Sequence, residues 1–369
     1  MQKIFSGIED PRHQGYVKHK LEDILVIVMC AVLSGVDELG TIMTYAENKA
    51  EFFKKHFGIE KIPSKPTVSR VLSMVNGEKV AKIIIETMKE KFGDRGEVLA
   101  VDGKAICSTA KESQLHSALQ IITAYLTESG VVLGQEKIHE KTNEIPVFQE
   151  MLSYLNIKGK TVTADAMHCQ RETCARIIKN QGNYIFGLKE NQPNLYHNIA
   201  LFFESQITST ELESYTVEEK NGGRYEKRIC SKLSDLSWLD TKNEWSGLKT
   251  AFSITRIVKT SEIETKEVSY YISSLDVNPE KLLFLTREHW KIESLHWLLD
   301  VDFSEDSCSL LSENAQLTLN IFRKYSLLLH KQYIPSLVKK TSIRQNMFNC
   351  LLNDSLLIKV LSTCSAFNL

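Results

Sequence analysis

Two aspartates directly follow apolar runs that are typical of buried strands: Asp102 follows residues 98–101, and Asp165 follows residues 161–164. The carboxyl ends of strands in an open α/β sheet form the edge where ligands bind. Two carboxylates at that edge would repel each other, whereas Mg²⁺ and Mn²⁺ prefer oxygen ligands of this kind. We therefore expect a divalent-metal site there. Taken alone, each aspartate equally fits a turn or a helix cap.

A third acidic residue, Glu293, lies within the segment HWKIESLHWLLD of residues 289–300. On a helix, Glu293 would share a face with Trp290 and Trp297 beside an apolar stripe. An unpaired carboxylate on such a half-buried face is costly, so the pattern indicates a partner such as a cation. The alternative is a glutamate that points into solvent next to Lys291.

The opening part of the chain is typical of an all-helical domain, because apolar residues recur at spacings of three and four between residues 21 and 92. Within it, a short capped helix is predicted around residues 67–72, with Lys65 and Arg70 on its exposed face. This segment is a candidate DNA-recognition helix of a helix-turn-helix unit. An ordinary amphipathic helix fits the pattern at least as well.

From residue 96 the pattern predicts three strands, a helix, a strand, a second helix and a fifth strand. The strands are predicted at 98–101, 119–126, 131–137, 161–164 and 184–188, and the helices at 144–155 and 170–180. The crossover helix before the last strand requires parallel pairing of the last two strands. This order matches an α/β fold of the ribonuclease H-like type, a mixed five-stranded sheet with flanking helices. No GxGxxG follows the first strand, which disfavours a nicotinamide enzyme.

Changes in pattern divide the chain into four parts. Residues 1–95 are predicted to form the helical N-terminal domain, and residues 96–200 the first part of the α/β core. Residues 201–278 are strand-like and predict a mostly β insertion. Residues 279–369 are predicted to contain the helix of Glu293 and a basic helical C-terminal region.

The composition is that of a globular protein: 43% of the 369 residues are hydrophobic and 25% are charged. The longest apolar run, residues 24–33, is too short to span a bilayer, so we expect a cytoplasmic protein with no membrane partner. Eight cysteines without a CxxC pair indicate neither a zinc site nor a disulfide framework. The net charge of −1 requires any positive field to be local; residues 307–369 carry seven Lys and Arg against two acids.

Several motifs occur in a fixed order along the chain. They are Asp-Gly-Lys at 102–104, Lys-Thr-Asn-Glu-Ile-Pro at 141–146, Thr-Ala-Asp-Ala at 163–166, Leu-Lys-Glu-Asn-Gln-Pro at 188–193, His-Trp-Lys-Ile-Glu at 289–293 and Glu-Asp at 305–306. Together these motifs resemble those of the H-repeat-associated family of insertion-sequence transposases, which belongs to the DDE superfamily. The similarity extends from Asp-Pro-Arg at 10–12 almost to the end of the chain.

The resemblance implies a catalytic triad of metal-binding carboxylates at Asp102, Asp165 and Glu293. Such a triad holds two Mg²⁺ (or Mn²⁺) ions ~3.5–4 Å apart. One ion would activate the attacking water or 3′-hydroxyl group, and the other would stabilise the leaving oxygen. The implied activity is phosphodiester hydrolysis at the ends of the element, followed by strand transfer of the freed end to target DNA.

The implied partner is double-stranded DNA, both as element ends and as target. Affinity for a duplex comes from contacts to phosphates. We predict DNA-binding roles for Lys104, Lys189, Asn191, Gln192, Arg224, Arg228, Lys65 and Arg70, and for the basic C-terminal region. Asn191 and Gln192 would equally fit a strand-end turn. Joining two ends implies a homodimer on DNA, in the bacterial cytoplasm and at the nucleoid when bound.

The chain departs from the family pattern at four positions. Cys107 stands where the family usually has an arginine, Ser309 and Leu311 where it usually has two more, and Gly222 where a histidine is frequent. Because these changes spare the acidic residues, we expect metal binding to be retained. They also favour an alternative reading, a catalytically impaired or domesticated relative that acts as a DNA-binding protein. A small-substrate Mg²⁺ phosphatase is disfavoured, since it would need an aspartate at position 104.

Overall fold

The computed structural model describes residues 2–13, 15, 17–106, 118–139, 143–205, 212–261, 263–308, 310 and 312–363. Its N-terminal part is helical, as predicted: α1 (Gln2–Phe5), α2 (Leu21–Leu33), α3 (Leu39–Asn48), α4 (Ala50–Phe57), α5 (Lys65–Met74) and α6 (Gly77–Phe92). Residues 24–33 of α2 are buried on all sides, which explains their uninterrupted apolar run. α6 begins after Asn76, whose side chain accepts a hydrogen bond from the backbone N–H of Lys79 at 2.9 Å.

Nine strands form one mixed sheet. They are β1 (Val98–Ile106), β2 (Leu119–Leu126), β3 (Val132–Ile138), β4 (Thr161–Ala164), β5 (Asn183–Leu188), β6 (Glu213–Asn221), β7 (Arg224–Leu233), β8 (Thr250–Lys259) and β9 (Glu264–Ser273). Their order across the sheet is β3-β2-β1-β4-β5-β9-β8-β7-β6. The pairs β1–β4 and β4–β5 are parallel, whereas the other neighbours are antiparallel. The sheet is therefore mixed, with its parallel part in the middle.

The sequence predicts a sheet of five strands, and this number is wrong. β5 pairs along its outer edge with β9, with Ile185 opposite Ser273 and Leu188 opposite Tyr270. A strand edge left unpaired would expose its backbone N–H and C=O groups, and β9 satisfies those of β5. The strands of the β-rich segment thus continue the same sheet and bring it to nine strands.

Three helices connect strands of this sheet. α7 (Glu144–Tyr154) packs against β2 and β3, and α8 (Arg171–Lys179) packs against both β5 and α7. α8 is the predicted crossover between the parallel strands β4 and β5. α9 (Pro193–Ser205) follows β5 and packs against β9. α7 precedes β4 in the chain, α8 follows β4, and α9 follows β5, so these helices flank strands that carry the candidate site.

The C-terminal part contains α10 (Pro279–Glu288), α11 (Trp290–Val301), α12 (Glu313–Tyr333), α13 (Ile343–Leu352) and α14 (Asp354–Ser362). α12 is the central helix: it contacts α2, α5 and α6, and its residues 315–330 are buried. At Gly77 the backbone of α6 approaches α12 so closely that a Cβ atom would lie 2.7 Å from Leu317 Cβ. Arg323 and Lys324 are buried as well, so this part of the predicted basic DNA-binding region is not on the surface.

No helix in the described part of the chain is both long enough and apolar enough to cross a membrane. Six of the eight cysteines lie among the described residues, and all six are buried free thiols: Cys30, Cys169, Cys174, Cys230, Cys308 and Cys350. Burial disfavours the thiolate form and raises the pKa of several of these thiols, for example that of Cys230 to about 12. They act as small apolar side chains of the core.

Candidate active site

Asp102 and Asp165 lie at matching positions on neighbouring strands. β1 and β4 are parallel, and Val101 of β1 is paired with Ala164 of β4. Asp102 and Asp165 are the next residues, so their backbones lie at the same level, where β4 ends. The sequence-based expectation that Asp102 follows its strand is wrong, because β1 continues to Ile106. Neighbouring strands are about 4.8 Å apart. The structure therefore brings these two predicted site residues together.

Glu293 faces the same region from α11, which packs against β1. Burial by neighbouring groups raises the pKa of Glu293 above its ordinary value; His289 opposes the shift, and the carboxylates of Asp102 and Asp165 raise the pKa further. The Glu293 carboxyl group thus lies within electrostatic reach of both aspartates. Its side chain is on the exposed side of the helix, not on the half-buried surface that the sequence predicted.

Two histidines of the α11 segment pair with the two aspartates. His296 Nδ1 lies 3.3 Å from Asp102 Oδ2, and His289 Nε2 lies 3.8 Å from Asp165 Oδ1. His289 Nδ1 and Thr163 Oγ1 of β4 share a hydrogen bond of 3.1 Å. The His289 imidazole is the main cause that lowers the pKa of Asp165, with burial opposing it.

The role of these histidines was not recognised in the sequence, although a signal was present. His289, Glu293 and His296 are spaced at i, i+4 and i+7, so a helix places all three on one face. The Nε2 atoms of both His289 and His296 are buried without a hydrogen-bond partner in the described structure. Buried nitrogens without a partner are available for a hydrogen bond to a group that enters the site.

A fourth carboxylate, that of Glu144, lies against the Asp-Gly-Lys motif. A Cβ atom on Gly103 would stand only 2.6 Å from Glu144 Oε2, so only glycine fits there without displacing this side chain. Glu144 Oε1 accepts a hydrogen bond of 2.8 Å from Nε2 of the fully buried His168. His168 follows Asp165 by three residues, in a 3₁₀ turn, and contributes to the lowered pKa of Asp165. Sequence analysis did not identify Glu144 or His168.

The arrangement is not that of a preformed metal cage. Among the described residues, no group of three or more histidine, cysteine or acidic side chains is close enough to hold a metal ion. The three acids share one electrostatic environment, and each is paired with or near an imidazole. Carboxylate oxygens are the ligands that divalent cations such as Mg²⁺ prefer.

Two of the predicted DNA-binding residues are engaged in ion pairs within the protein. Lys104 Nζ contacts Asp300 and lies 2.9 Å from Glu305 Oε2, with its side chain only 12% exposed. Arg228, with its side chain 6% exposed, pairs with Glu219 at 2.8 Å and with Glu226 at 2.7 Å. Acidic side chains of the protein thus already neutralise both cations, and a contact of either with DNA phosphates stays a prediction.

Asn191 and Gln192 support the loop that carries Asp165. Asn191 Nδ2 donates to the carbonyl oxygen of Ala166 at 2.7 Å, and Gln192 Nε2 donates to that of Cys169 at 3.0 Å. These contacts match the strand-end turn that was the alternative to DNA binding. They hold the segment after β4 in place and so help to position Asp165.

Other predicted DNA-binding residues are exposed. Lys189 is exposed at the end of β5, and its charge helps to lower the pKa of Asp165. Arg224 is half-exposed at the β6–β7 hairpin, 3.5 Å from Glu226 Oε2. Lys65 and Arg70 are both exposed on α5. Cys107, Ser309 and Leu311 lie outside the described residues; Gly222 forms the hairpin turn with φ of 60°.

Two tryptophans flank Glu293 on α11. Trp290 is 46% exposed and Trp297 is 59% exposed, which is unusual for such large apolar side chains. The guanidinium groups of Arg228 and Arg256 lie 5.6 and 5.8 Å from the centre of the Trp290 ring. The edge of the site is therefore a flat aromatic surface supported by cations.

Two family profiles together match most of the chain. The profile of the family described as "Transposase DDE domain" matches residues 93–329, and that of "DDE_Tnp_1-associated" matches residues 2–88. The first match contains β1 to β9 and the helix that carries Glu293. The chain belongs to the transposase DDE domain family.

The chain is similar to several proteins that are named as putative transposases. "Putative transposase YncI" of Escherichia coli O157:H7 is 34% identical over 370 residues, which cover 98% of this chain and 94% of the relative. "H repeat-associated putative transposase YhhI" of Escherichia coli K12 is 36% identical, over 85% of this chain and 86% of the relative. The cryo-EM structure of a piggyBac transposase synaptic complex with hairpin DNA aligns at 11% identity and a TM-score of 0.44, covering 97% of this chain and 79% of that one. That value is too low to support an argument.

Proposed function

We propose that this protein is a DNA transposase of an insertion sequence. It would hydrolyse phosphodiester bonds at the ends of the element and transfer the freed strand to target DNA, with Asp102, Asp165 and Glu293 as its catalytic triad. The observation that supports the proposal is the register of β1 and β4, in which the residues that precede Asp102 and Asp165 are paired. Burial raises the pKa of Glu293, and the charges of both aspartates add to that rise. Membership of the transposase family supports the reaction class.

The donor set fits a divalent metal ion such as Mg²⁺ or Mn²⁺. Carboxylate oxygens are the preferred ligands of these ions. Burial is the main cause of the raised pKa of Glu293, and repulsion by the two aspartates adds to it; a cation between the three carboxylates would relieve that repulsion. Two bound ions would supply an activated nucleophile and stabilisation of the leaving oxygen.

The residues around the triad would orient its carboxylates and accept a proton during the reaction. His296 Nδ1 lies 3.3 Å from one oxygen of Asp102, whose other oxygen accepts a hydrogen bond of 2.9 Å from the backbone N–H of Gly103, and His289 Nε2 lies 3.8 Å from one oxygen of Asp165. Each carboxylate oxygen has two lone pairs, so both aspartates would keep acceptor capacity for a ligand. The unpartnered Nε2 atom of His296 is a candidate acceptor for a proton released during attack. Lys189, exposed beside Asp165, would contact a backbone phosphate.

The five strands β3-β2-β1-β4-β5 are proposed to form a ribonuclease H-like core. Their order and directions, with β2 antiparallel and β4 parallel to β1, support this assignment. We further propose that residues 1–95 act as a DNA-binding domain through Lys65 and Arg70 of α5. The remaining boundaries are placed at 96–200 for the core, 201–278 for the β-rich segment and 279–369 for the C-terminal part. A homodimer would join two DNA ends in the bacterial cytoplasm.

The test is a nicking assay on supercoiled DNA that carries the ends of the element, with Mg²⁺ present. The wild-type protein should nick at the ends. Asp102→Asn, Asp165→Asn and Glu293→Gln should each lower the rate by at least ~1000-fold, because each removes a ligand charge from groups that act as a unit. Glu97→Gln, a surface change that breaks only the Lys281–Glu97 ion pair, is the matched control and should retain activity.

A second candidate function is DNA binding without catalysis. It is the alternative that the departures from the family pattern leave open, and of these Gly222, in the β6–β7 turn, lies among the described residues. In that case the wild-type protein would bind the ends with the affinity of the Asp165→Asn variant, and neither would nick. Nicking by the wild type alone would exclude this alternative.

A further inference from the structure

Lys104 and Asp300 join the two elements that carry the first and third acids of the proposed triad. Lys104 follows Asp102 by two residues on β1, and alternate residues of a strand share a face. Asp300 follows Glu293 by seven residues on α11, which is two helical turns, so both lie on one side of the helix. Lys104 Nζ contacts Asp300 Oδ1. One ion pair therefore links β1 to α11 close to both acids.

This link is anchored in the protein interior by Glu305. Glu305 Oε2 lies 2.9 Å from Lys104 Nζ, and its Oε1 accepts a hydrogen bond of 2.9 Å from Asn320 of α12. The Glu305 side chain is fully buried, and Arg323 Nη1 lies 3.4 Å from the same Oε1 atom. Asn320 belongs to α12 and fixes Glu305 through its hydrogen bond to Oε1. Glu305 in turn holds the ammonium group of Lys104 in contact with Asp300.

Glu305 is ionised although its side chain is fully buried. Burial opposes ionisation of Glu305, but Arg323 and Lys104 outweigh it and lower the pKa of this carboxyl to about 2. Glu305 therefore carries a full negative charge at neutral pH. Arg323 Nη2 also lies 3.4 Å from Asp37, in the segment between α2 and α3. The network thus connects the helical N-terminal part, α12, β1 and α11.

We propose that Lys104 and Asp300 are positioning residues that fix the distance between Asp102 and Glu293. The proposal rests on the proposed function, in which those two acids bind metal. Neither Lys104 nor Asp300 needs to touch DNA or a cation for this role. Breaking the pair would release α11 from β1 near the site, and Glu293 would then occupy a wider range of positions relative to Asp102.

The burial of Lys104 and the partial exposure of Asp300 decide which of the two residues is substituted in the test. Removing Lys104 would leave Glu305 charged and buried with one partner fewer, which would disturb the fold as a whole. Asp300 is 35% exposed, so Asp300→Asn removes its charge at little cost and leaves Lys104 held by Glu305. Asp300→Glu restores the charge and is the conservative rescue variant. Glu97→Gln breaks the Lys281–Glu97 pair, which joins α10 to the start of β1, and is the matched control.

The experiment measures Mn²⁺ binding to the full-length protein by electron paramagnetic resonance, together with kcat and KM for nicking of end-containing DNA. Asp300→Asn should weaken Mn²⁺ binding about 10-fold, the loss typical for an outer partner of a metal ligand. It should lower kcat with KM for DNA unchanged, and Asp300→Glu should recover most of both losses. Glu97→Gln should bind Mn²⁺ like the wild type.

Wild-type Mn²⁺ affinity in Asp300→Asn would overturn the positioning role, as would an equal loss in Glu97→Gln. A fall in Mn²⁺ affinity that Asp300→Glu does not rescue would also contradict it. Failure of the proposed function has a different signature: Asp165→Asn would then bind Mn²⁺ as the wild type does. Urea unfolding midpoints of the wild type and the four variants establish that each comparison is made between folded states.

Discussion

Gly103 of β1 lies directly against the carboxylate of Glu144, so that a Cβ atom there would be 2.6 Å from Oε2 and 2.8 Å from Oε1. Glu144 in turn is the hydrogen-bond acceptor of the buried His168, three residues after Asp165. The glycine of the Asp-Gly-Lys motif thus makes room for a side chain that supports the loop of the second aspartate.

Gly103→Ala should displace Glu144 and deprive buried His168 Nε2 of its acceptor. Leaving one such group unsatisfied costs about 1–3 kcal/mol, so unfolding free energy should fall by roughly that amount. In a Glu144→Ala background the clash is absent, and Gly103→Ala should then cost little. Urea unfolding of the double-mutant cycle measures this coupling; additive losses would show that the two residues act independently.

Lys324 should make stability depend on pH above neutrality. Its ammonium group is buried, where Nζ donates to Thr123 Oγ1 at 2.8 Å and Gln135 Oε1 at 2.7 Å, and burial lowers its pKa to about 7. The unfolded chain keeps the proton up to about pH 10. Unfolding therefore takes up a proton between these values, and the free energy of unfolding should rise as pH rises from 7 to 9. Lys324→Met should remove that rise; an unchanged slope would contradict the assignment.

His330 should make the protein lose stability in mild acid. The ring is buried, Nε2 donates to the carbonyl of Leu33 at 2.9 Å, and Nδ1 accepts from Asn346 at 2.8 Å. Burial lowers the pKa of His330 to about 4, whereas the unfolded chain binds a proton near 6.5. The free energy of unfolding should therefore fall as pH falls from 6.5 towards 4. His330→Gln should flatten this part of the profile, and an NMR titration midpoint near 6.5 in the folded protein would disprove the shift.

Exposed and ion-paired cations should differ in DNA binding. Lys189→Ala should weaken binding to end DNA at every sequence tested and reduce the salt slope of log K by about 1, as for one lost phosphate contact. Arg228→Ala should leave that slope unchanged but lower stability, because Glu219 and Glu226 lose a shared partner. Fluorescence anisotropy at several salt concentrations distinguishes the two; equal slopes for Lys189→Ala and the wild type would exclude the contact.

Local pattern was sufficient to predict most elements that carry the site. β2 and β4 have the predicted bounds, and β4 and β5 pair in parallel across the predicted crossover helix. These features depend on short-range periodicity and on chirality. The extension of the sheet by β9 was not predictable in this way, because the pairing of Ile185 with Ser273 joins segments that are far apart in sequence.

Residue types in the site were easier to predict than their partners. Asp165 follows the end of β4, as its place after an apolar run predicts, whereas Asp102 lies within β1, because the residues after it continue the strand to Ile106. The ion pairs of Lys104 could not be predicted from the sequence, because Asp300 and Glu305 become its neighbours only in the folded chain. Glu226, by contrast, is two residues from Arg228 in sequence, and the sequence analysis did not identify this pair. It did not predict α9 either.

The most direct test of the account is a crystal of the protein soaked in Mn²⁺, with data collected at the manganese absorption edge. We expect anomalous peaks at the carboxyl edge of β1 and β4, within ligand distance of carboxylate oxygens from Asp102, Asp165 and Glu293. Two results would contradict the claim that these three acids form the metal-binding centre. One is manganese bound elsewhere, and the other is no anomalous peak beside the three acids at Mn²⁺ concentrations that support nicking.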